Sequence, residues 1–380
     1  MKISKTQIAI ISIIVISIIY TVKKLNKSTL ENNINLGFSF LGSSKNMFEQ
    51  TIRKANIDHK HYLGANYVKL PDLIGKEIPK YIKYKESILT KPSKQGACNS
   101  CWSFTVTQMI ADRISVLTNG KLLVPLSAQE MVSCFRKGNS NQNCEVGNAP
   151  ERAYEYIESN GISTEKDYEY LQNKSTRVHG CQRKKLNGLR TYIQKGSIKN
   201  ICLDPYKYTE GSERYNKTIE QNVLNMKKEL LYHGPFVGTI YVGDSFYNYD
   251  GLSVYTGGKN PNEKKFGHAI CIIGAVECGV NKKEPGFNYP YWICKNSWGS
   301  DWNKKNNGYF YVEMGKNVCG IESRASSALP ELTDEIKANR VSLDDSRYIS
   351  YDSYINDPER SNYIEKVGSA LLRKKNNIFF

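Results

Sequence analysis

Residues 94–104 have the sequence Lys-Gln-Gly-Ala-Cys-Asn-Ser-Cys-Trp-Ser-Phe, in which the second cysteine, Cys101, begins a run of periodically spaced apolar residues. The spacing is that of a helix. The run consists of Trp102, Val106, Met109, Ile110, Ile114 and Leu117. A thiol at a helix N-terminus faces unpaired backbone N–H groups and the positive end of the helix dipole, which both favour its thiolate form. Cys101 is therefore the candidate nucleophile.

A nucleophilic cysteine needs a proton acceptor and a group that orients this acceptor. Among five histidines, His268 opens the apolar run Phe-Gly-His-Ala-Ile-Cys-Ile-Ile-Gly, and Asn296 follows another in Tyr-Trp-Ile-Cys-Lys-Asn-Ser-Trp-Gly. His233 is the alternative base, but a surface histidine in its Gly-Pro turn is the simpler interpretation. Each residue alone is weak evidence. Together they predict Cys101 as nucleophile, His268 as base and Asn296 as the orienting group.

These three stretches together resemble the papain-like cysteine proteases, whose signature is C-G-[SA]-C-[WY] with His and Asn downstream. The resemblance covers about residues 78–327. It implies an α+β, papain-like two-lobed fold, with a helical lobe, an antiparallel β-barrel-like lobe and the active-site cleft between them. The Cys101–His268 spacing exceeds the usual range of about 130–150 residues, which implies an insertion at about residues 182–217. We expect this insertion to be a surface loop.

The resemblance also implies roles for residues around the candidate Cys–His pair. Gln95 matches the oxyanion-hole donor of the family, while Trp298 and Trp102 are supporting residues, with Trp298 shielding the His–Asn hydrogen bond from water. The positions matched to substrate binding are Gly147, Gly267 and Ala269. The residue before the catalytic His helps to line the second specificity pocket in relatives, so a glycine there predicts room for bulky apolar side chains.

The uncharged, lysine-flanked segment Ile8–Val22 indicates that the chain is exported. Ten cysteines in an exported chain favour disulfide bonds. Family positions imply the pairs Cys98–Cys144 and Cys134–Cys181. Cys319 either pairs with Cys202 or stays free beside Cys271, Cys278 and Cys294. A redox role for the Cys-Asn-Ser-Cys motif is the alternative, but a polar loop precedes it where a strand would be needed. No second C-x-x-C pair exists, so no metal site is expected.

Local signals predict further elements. A capping box at 127–130 begins a short helix, and a helix opens at Pro150 and ends at Gly161. Helical periodicity over 219–230 predicts another helix. Apolar runs predict strands over 236–242, 269–276, 291–295 and 308–313. Two N-glycosylation sequons, at Asn173 and Asn216, fall in predicted loops.

The predicted organisation has four parts. Residues 1–24 form a signal-anchor or transmembrane segment, because Ile8–Val22 is uncharged and flanked by lysines. A cleaved signal peptide is the alternative. Residues 25–77 are a pro-region or a stalk, residues 78–330 the peptidase domain, and residues 331–380 a flexible C-terminal extension. With an anchor, the catalytic domain would lie on the lumenal or extracellular side of the membrane. The alternative is a secreted protein or one in a lysosome-like compartment.

The resemblance implies a cysteine-type endopeptidase that acts through a thiolate–imidazolium pair and an acyl-enzyme. The alternatives are a papain-like exopeptidase and a catalytically weak binding module on the same fold. In this family an exopeptidase needs a loop that blocks one end of the cleft and binds a terminal carboxylate. No His-His pair that would mark such a loop occurs between Cys101 and Cys144, so endopeptidase activity is favoured. A monomer acting on protein or peptide substrates is expected, with no cofactor. The net charge of +16 is spread along the chain, so nucleic-acid binding is not expected.

Overall fold

The computed structural model describes residues 78–341, apart from residues 136–141, 173–176, 184–187, 250, 252, 261, 278–288 and 304–305. Within this part of the chain, the helices come mainly before the strands. The helices are α1 (Cys101–Leu117), α2 (Ala128–Cys134), α3 (Gln142–Glu145), α4 (Pro150–Asn160), α5 (Glu213–His233), α6 (Asp244–Tyr247) and α7 (Asp334–Asn339). The strands are β1 (Tyr81–Lys83), β2 (Lys199–Asn200), β3 (Phe236–Val242), β4 (Phe266–Val276), β5 (Tyr291–Lys295), β6 (Tyr309–Glu313) and β7 (Ala325–Ser327).

One antiparallel sheet contains these strands in the order β2-β7-β3-β4-β5-β6, with β1 paired to β4. The α+β class predicted from the sequence is confirmed. Among the described strands the sheet is not closed, since β2 and β6 lie at opposite ends, so the barrel-like description holds only loosely. Strand β4 begins at Phe266, which is earlier than predicted, and His268 therefore lies within the strand opposite Ile240.

Helix α1 is the central helix of the fold, because nearly all of its side chains are buried. Helix α4 packs against one side of α1, and strand β4 packs against its other side. The predicted N-terminal signals hold: Ser127 accepts a hydrogen bond from Glu130 N–H at 3.1 Å, and Gly161 ends α4 with φ 64°. Glycine adopts this positive φ without steric cost.

Two neighbouring side chains of α1 form fully buried ion pairs with other elements. Asp112 pairs with Lys295 of β5 at 2.5 Å, and Arg113 pairs with Glu229 of α5 at 2.6 Å. A buried charge is tolerated only when it is paired and hydrogen-bonded. The pairs therefore fix the helix that carries Cys101 relative to the strand that precedes Asn296.

The prediction that residues 182–217 form a surface loop is wrong in part. This segment contains β2, which pairs with β7, and the first turns of α5. Ile193, Ile201 and Tyr215 are buried in it. Their apolar side chains supply the free energy that holds the segment against the domain. The sequon at Asn216 consequently lies in the first helical turn of α5 and not in a loop, although its side chain is exposed.

The start of the C-terminal extension is also ordered, contrary to the prediction. Helix α7 buries Ile336, and Val341 N–H donates to the carbonyl oxygen of Leu117 at the end of α1. The extension thus packs on the C-terminus of α1. Several predictions lie outside the described residues: the Ile8–Val22 segment, the pro-region or stalk over 25–77, the tail over 342–380, the Asn173 sequon and Cys278. No helix within the described residues is long and apolar enough to cross a membrane.

The structure joins Cys98 to Cys144 and Cys134 to Cys181, the two pairs implied by the resemblance. Both disulfides lie in the helical part of the chain. Of the two alternatives for Cys319, the structure agrees with the free thiol and not with the bridge, because neither Cys319 nor Cys202 is bonded. The remaining free thiols of the described part are Cys101, Cys271 and Cys294.

Candidate active site

The structure places Cys101 at the first position of α1, where the residue is half-buried. Backbone N–H groups of Cys101, Trp102 and Ala269 lie close enough to its sulfur to stabilise a negative charge there. Ala269 directly follows His268 on β4. The helix N-terminus and the strand that carries the candidate base therefore meet at the thiol.

His268 is 2% exposed, and its Nε2 lies 2.8 Å from Asn296 Oδ1. The N–H of Ser297 also donates to Asn296 Oδ1, at 2.8 Å, so this atom must be the amide oxygen. Since that oxygen can only accept, the imidazole carries a proton on Nε2. In the neutral ring Nδ1 is then left as the proton acceptor.

Trp298 packs beside the imidazole ring of His268. Its ring centroid lies 4.7 Å from that of His268, and Tyr247 stacks on the other side at 4.5 Å with an interplanar angle of 7°. A hydrogen bond shielded from water orients its partners more strongly than an exposed one. Trp102 is fully buried below the site, where its indole N–H donates to the carbonyl oxygen of Asn143 at 3.3 Å.

Gln95 is held at several points. Its side-chain N–H donates to the Cys98 carbonyl at 2.9 Å, and its Oε1 accepts from the hydroxyl of Ser297 at 2.7 Å. Its backbone N–H donates to the carbonyl of Ser297 at 2.7 Å. The amide NH₂ carries two protons, so a second N–H remains for a ligand beside Cys101. Gln95 is thereby tied to the residue that follows Asn296.

Burial acts against charge on both members of the candidate pair. It raises the pKa of the Cys101 thiol above the ordinary value of 9.0, against the opposing effect of the nearby N–H groups. It lowers the pKa of His268 to about 4, against the opposing effect of the Asn296 hydrogen bond. The thiolate expected from helix position alone is therefore not favoured by itself. It requires the imidazolium, whose attraction must exceed the cost of burying both charges.

The matched substrate-binding positions lie around this site. Gly147 has φ +76°, and a Cβ there would come within 2.7 Å of the Asn99 carbonyl oxygen, so only glycine fits against the Cys98–Cys101 loop. Gly267 is exposed beside His268, with Tyr241 opposite on β3. Ala269 is 3% exposed, and its backbone N–H faces the Cys101 sulfur.

His233, the alternative base, is not part of this site. Its Nδ1 lies 3.1 Å from Glu229 Oε2, in the ion-pair cluster that includes Arg113 and Lys199. It is more than the surface histidine that we expected, because it belongs to a largely buried cluster. Within the described residues, no group of His, Cys, Asp and Glu side chains could hold a metal ion.

Two contributors to the site were not predicted, Ser297 and Tyr170. Ser297 lies within the Asn-Ser-Trp-Gly stretch, where its adjacency to Asn296 was an available signal. Tyr170 lies far along the sequence from Cys101, and its hydroxyl donates to the carbonyl oxygen of Gln95 at 2.7 Å. A pairing across that distance has no signal in local sequence.

Comparison with known proteins identifies the family of the chain. The model of the family described as papain family cysteine protease matches residues 78–329. The chain is 29% identical over 282 residues to cathepsin B-like cysteine proteinase 6 of Caenorhabditis elegans, which covers 68% of this chain and 67% of that one. It is 35% identical over 255 residues to the oryzain gamma chain of Oryza sativa subsp. japonica, which covers 66% and 59%.

A solved structure, procathepsin B S9 from Trypanosoma congolense, resembles this fold with a TM-score of 0.52 at 21% identity, covering 71% of this chain and 84% of that one. At this identity the likeness concerns the fold alone. The chain spans between about three fifths and two thirds of the length of several of these curated relatives. The family model covers more than half of the chain, and the chain belongs to the papain family of cysteine proteases.

Proposed function

We propose that this protein is a cysteine-type endopeptidase in which Cys101 is the nucleophile and His268 the general base and acid. The observation that carries the proposal is the convergence of Cys101, His268, Asn296 and Gln95 from separate parts of the chain. Ala269 N–H faces the Cys101 sulfur, and Asn296 orients the neighbouring imidazole at 2.8 Å. A nucleophile, a base and a group that orients the base are the parts that acyl transfer needs.

The chemistry proceeds in two halves. The Cys101 thiol gives its proton to His268 Nδ1, and the sulfur attacks the peptide carbonyl carbon. The carbonyl electron pair moves to oxygen, where Gln95 N–H and Cys101 N–H stabilise it. When the intermediate collapses, the C–N bond breaks and His268 gives its proton to the departing amine. A water molecule then loses a proton to His268 and attacks the thioester, which releases the acid and returns the thiol.

The direct test uses the purified chain with an unbiased peptide library, at acidic and neutral pH, with and without reductant. Cuts inside peptides that are blocked at both ends are expected, because an endopeptidase needs no free terminus. The Cys101→Ala protein is the matched control and should give none. Cleavage restricted to residues next to a free terminus would favour the exopeptidase alternative, while binding without cleavage would favour the binding module.

A specificity prediction concerns Gly267. A Cβ at this position would meet Tyr241 at 3.8 Å, so the space beside His268 has an aromatic wall. Bulky apolar or aromatic side chains are expected two residues before the cut. Gly267→Leu should shift the preference towards small side chains, as library profiling would show, because the added side chain fills this space.

The control is Gly180→Leu, at an exposed glycine whose Cβ would meet nothing within 4 Å. The guanidinium of Arg324 lies 5.2 Å from the Tyr241 ring centroid, so positive charge is nearer to this space than the glycine alone suggested. A wild-type profile that demands acidic side chains two residues before the cut would contradict the prediction and point to Arg324.

We also propose that Ile8–Val22 anchors the chain in a membrane with the catalytic domain on the lumenal or extracellular side. Two disulfides support an oxidising compartment. After expression through a secretory pathway, the full-length chain should stay in the membrane pellet on alkaline extraction, and Asn216 should carry an N-glycan. Thr218→Ala removes this sequon and is the control for the glycan. Release of the intact chain would contradict the anchor, leaving a secreted or lysosome-like protein.

A further inference from the structure

Tyr170 contacts the loop that precedes the nucleophile at two points. Its hydroxyl lies 2.7 Å from the Gln95 carbonyl oxygen and 2.7 Å from the Ser100 hydroxyl. The carbonyl can only accept, so the single Tyr170 proton is used there. The Ser100 hydroxyl consequently donates to the Tyr170 oxygen at 2.7 Å and makes a longer contact, of 3.4 Å, to the Cys98 carbonyl oxygen. A directed chain of hydrogen bonds thus runs from Ser100 through Tyr170 to Gln95.

This chain has a consequence for helix α1. Ser100 is its N-cap residue, and a serine here usually accepts a hydrogen bond from an N–H of the first turn. Within the described chain the Ser100 hydroxyl makes no such capping bond. Its backbone oxygen instead accepts from Ser103 N–H at 3.0 Å and from Phe104 N–H at 3.1 Å. The N–H groups of Cys101 and Trp102 remain directed at the Cys101 sulfur.

We infer that Tyr170 is a positioning residue for the oxyanion hole, an inference that rests on the proposed function. Its hydroxyl fixes the backbone of Gln95, whose N–H is already held by Ser297, so that the side-chain amide keeps its place. Its oxygen also accepts from the Ser100 hydroxyl, which holds the residue directly before Cys101 in place. Tyr170 acts through the backbone of Gln95 and through the Ser100 hydroxyl.

The test is Tyr170→Phe, which removes the hydroxyl and keeps the ring that packs edge-on against Phe104 at 4.6 Å. Loss of one oriented hydrogen bond should lower kcat for a blocked peptide substrate about tenfold. KM and the rate of Cys101 alkylation by iodoacetamide should stay within about twofold, because neither depends on the oxyanion. The affinity of a peptide aldehyde, whose adduct oxygen occupies the oxyanion hole, should fall in parallel with kcat.

Tyr168→Phe is the matched control on the same segment. It also loses one hydroxyl hydrogen bond, to Gln182 N–H at 3.1 Å, but this bond lies away from Gln95. Its kcat and aldehyde affinity should remain unchanged.

An active wild-type enzyme whose Tyr170→Phe variant has full kcat and aldehyde affinity would overturn the positioning role alone. So would an equal loss in alkylation rate, since this would indicate general damage to the site. A Cys101→Ala variant that still cleaves peptides would instead overturn the proposed function, which makes the two failures distinguishable.

Discussion

Cys101→Ala and His268→Ala are each expected to abolish peptide hydrolysis, and the double replacement should cost little more than either single one. The two side chains act as a unit, and removing either the nucleophile or the histidine from such a unit costs on the order of 10⁶ in kcat in a comparable hydrolase. Asn296→Ala should cost less, because it loosens the imidazole and leaves the chemistry intact. Steady-state kinetics of the four variants with one blocked peptide measures this non-additivity.

The same variants reveal the protonation states. In the wild type, mutual attraction should keep Cys101 ionised and alkylated at mildly acidic pH. In His268→Ala the thiol pKa should lie above 9.0, because burial raises it and no imidazolium offsets this effect. In Cys101→Ala the His268 pKa should be about 4. In this variant the imidazolium would lose its proton as pH rises through about 4. In the wild type, attraction to the thiolate should keep His268 charged to a higher pH.

The pH dependence of alkylation and the NMR titration of the imidazole measure these quantities. A wild type whose Cys101 reacts only above pH 9 and whose His268 titrates near pH 4 would contradict the ion pair. A His233→Ala variant as damaged in turnover as His268→Ala would contradict the choice of base, because His233 pairs with Glu229 away from Cys101.

Gln95→Ala is expected to lower the acylation rate by about 10²–10³, the effect of losing one oxyanion donor in a comparable hydrolase. Alkylation of Cys101 by iodoacetamide should stay within about threefold, because the donor serves the developing oxygen and not the sulfur. Single-turnover kinetics with a chromogenic peptide ester and amide separates acylation from the later steps.

The control for Gln95→Ala is Asn222→Ala. Asn222 is also buried and hydrogen-bonded, to Leu203 and Glu322, and these contacts involve neither Gln95 nor the segment that carries Tyr170. Both variants lose a buried amide, so both should lose stability to a comparable degree. Only Gln95→Ala should lose acylation rate. An equal loss in both, or parallel losses of acylation and alkylation in Gln95→Ala, would contradict the assigned role.

Local sequence was sufficient for most of the helices and strands. The boundaries of α1 and α4 and the strand β5 agree with their apolar periodicity and caps, since these signals act within a few residues. The segment 182–217 was misjudged because its buried residues, including Ile193 and Ile201, follow no regular period. The segment is ordered because β2 pairs with β7, a strand that lies more than a hundred residues later in the chain.

For the candidate site, sequence by itself was enough to select Cys101, His268, Asn296 and Gln95 as candidates, because each stands in a short stretch with a recognisable family pattern. Tertiary structure alone decided how they are held. The Ser297 contacts to Gln95, the Tyr170 bridge to Ser100 and the buried Asp112–Lys295 pair join residues from distant parts of the chain. It also decided the electrostatic balance at Cys101, since the cost of a buried charge depends on surrounding atoms that local sequence does not specify.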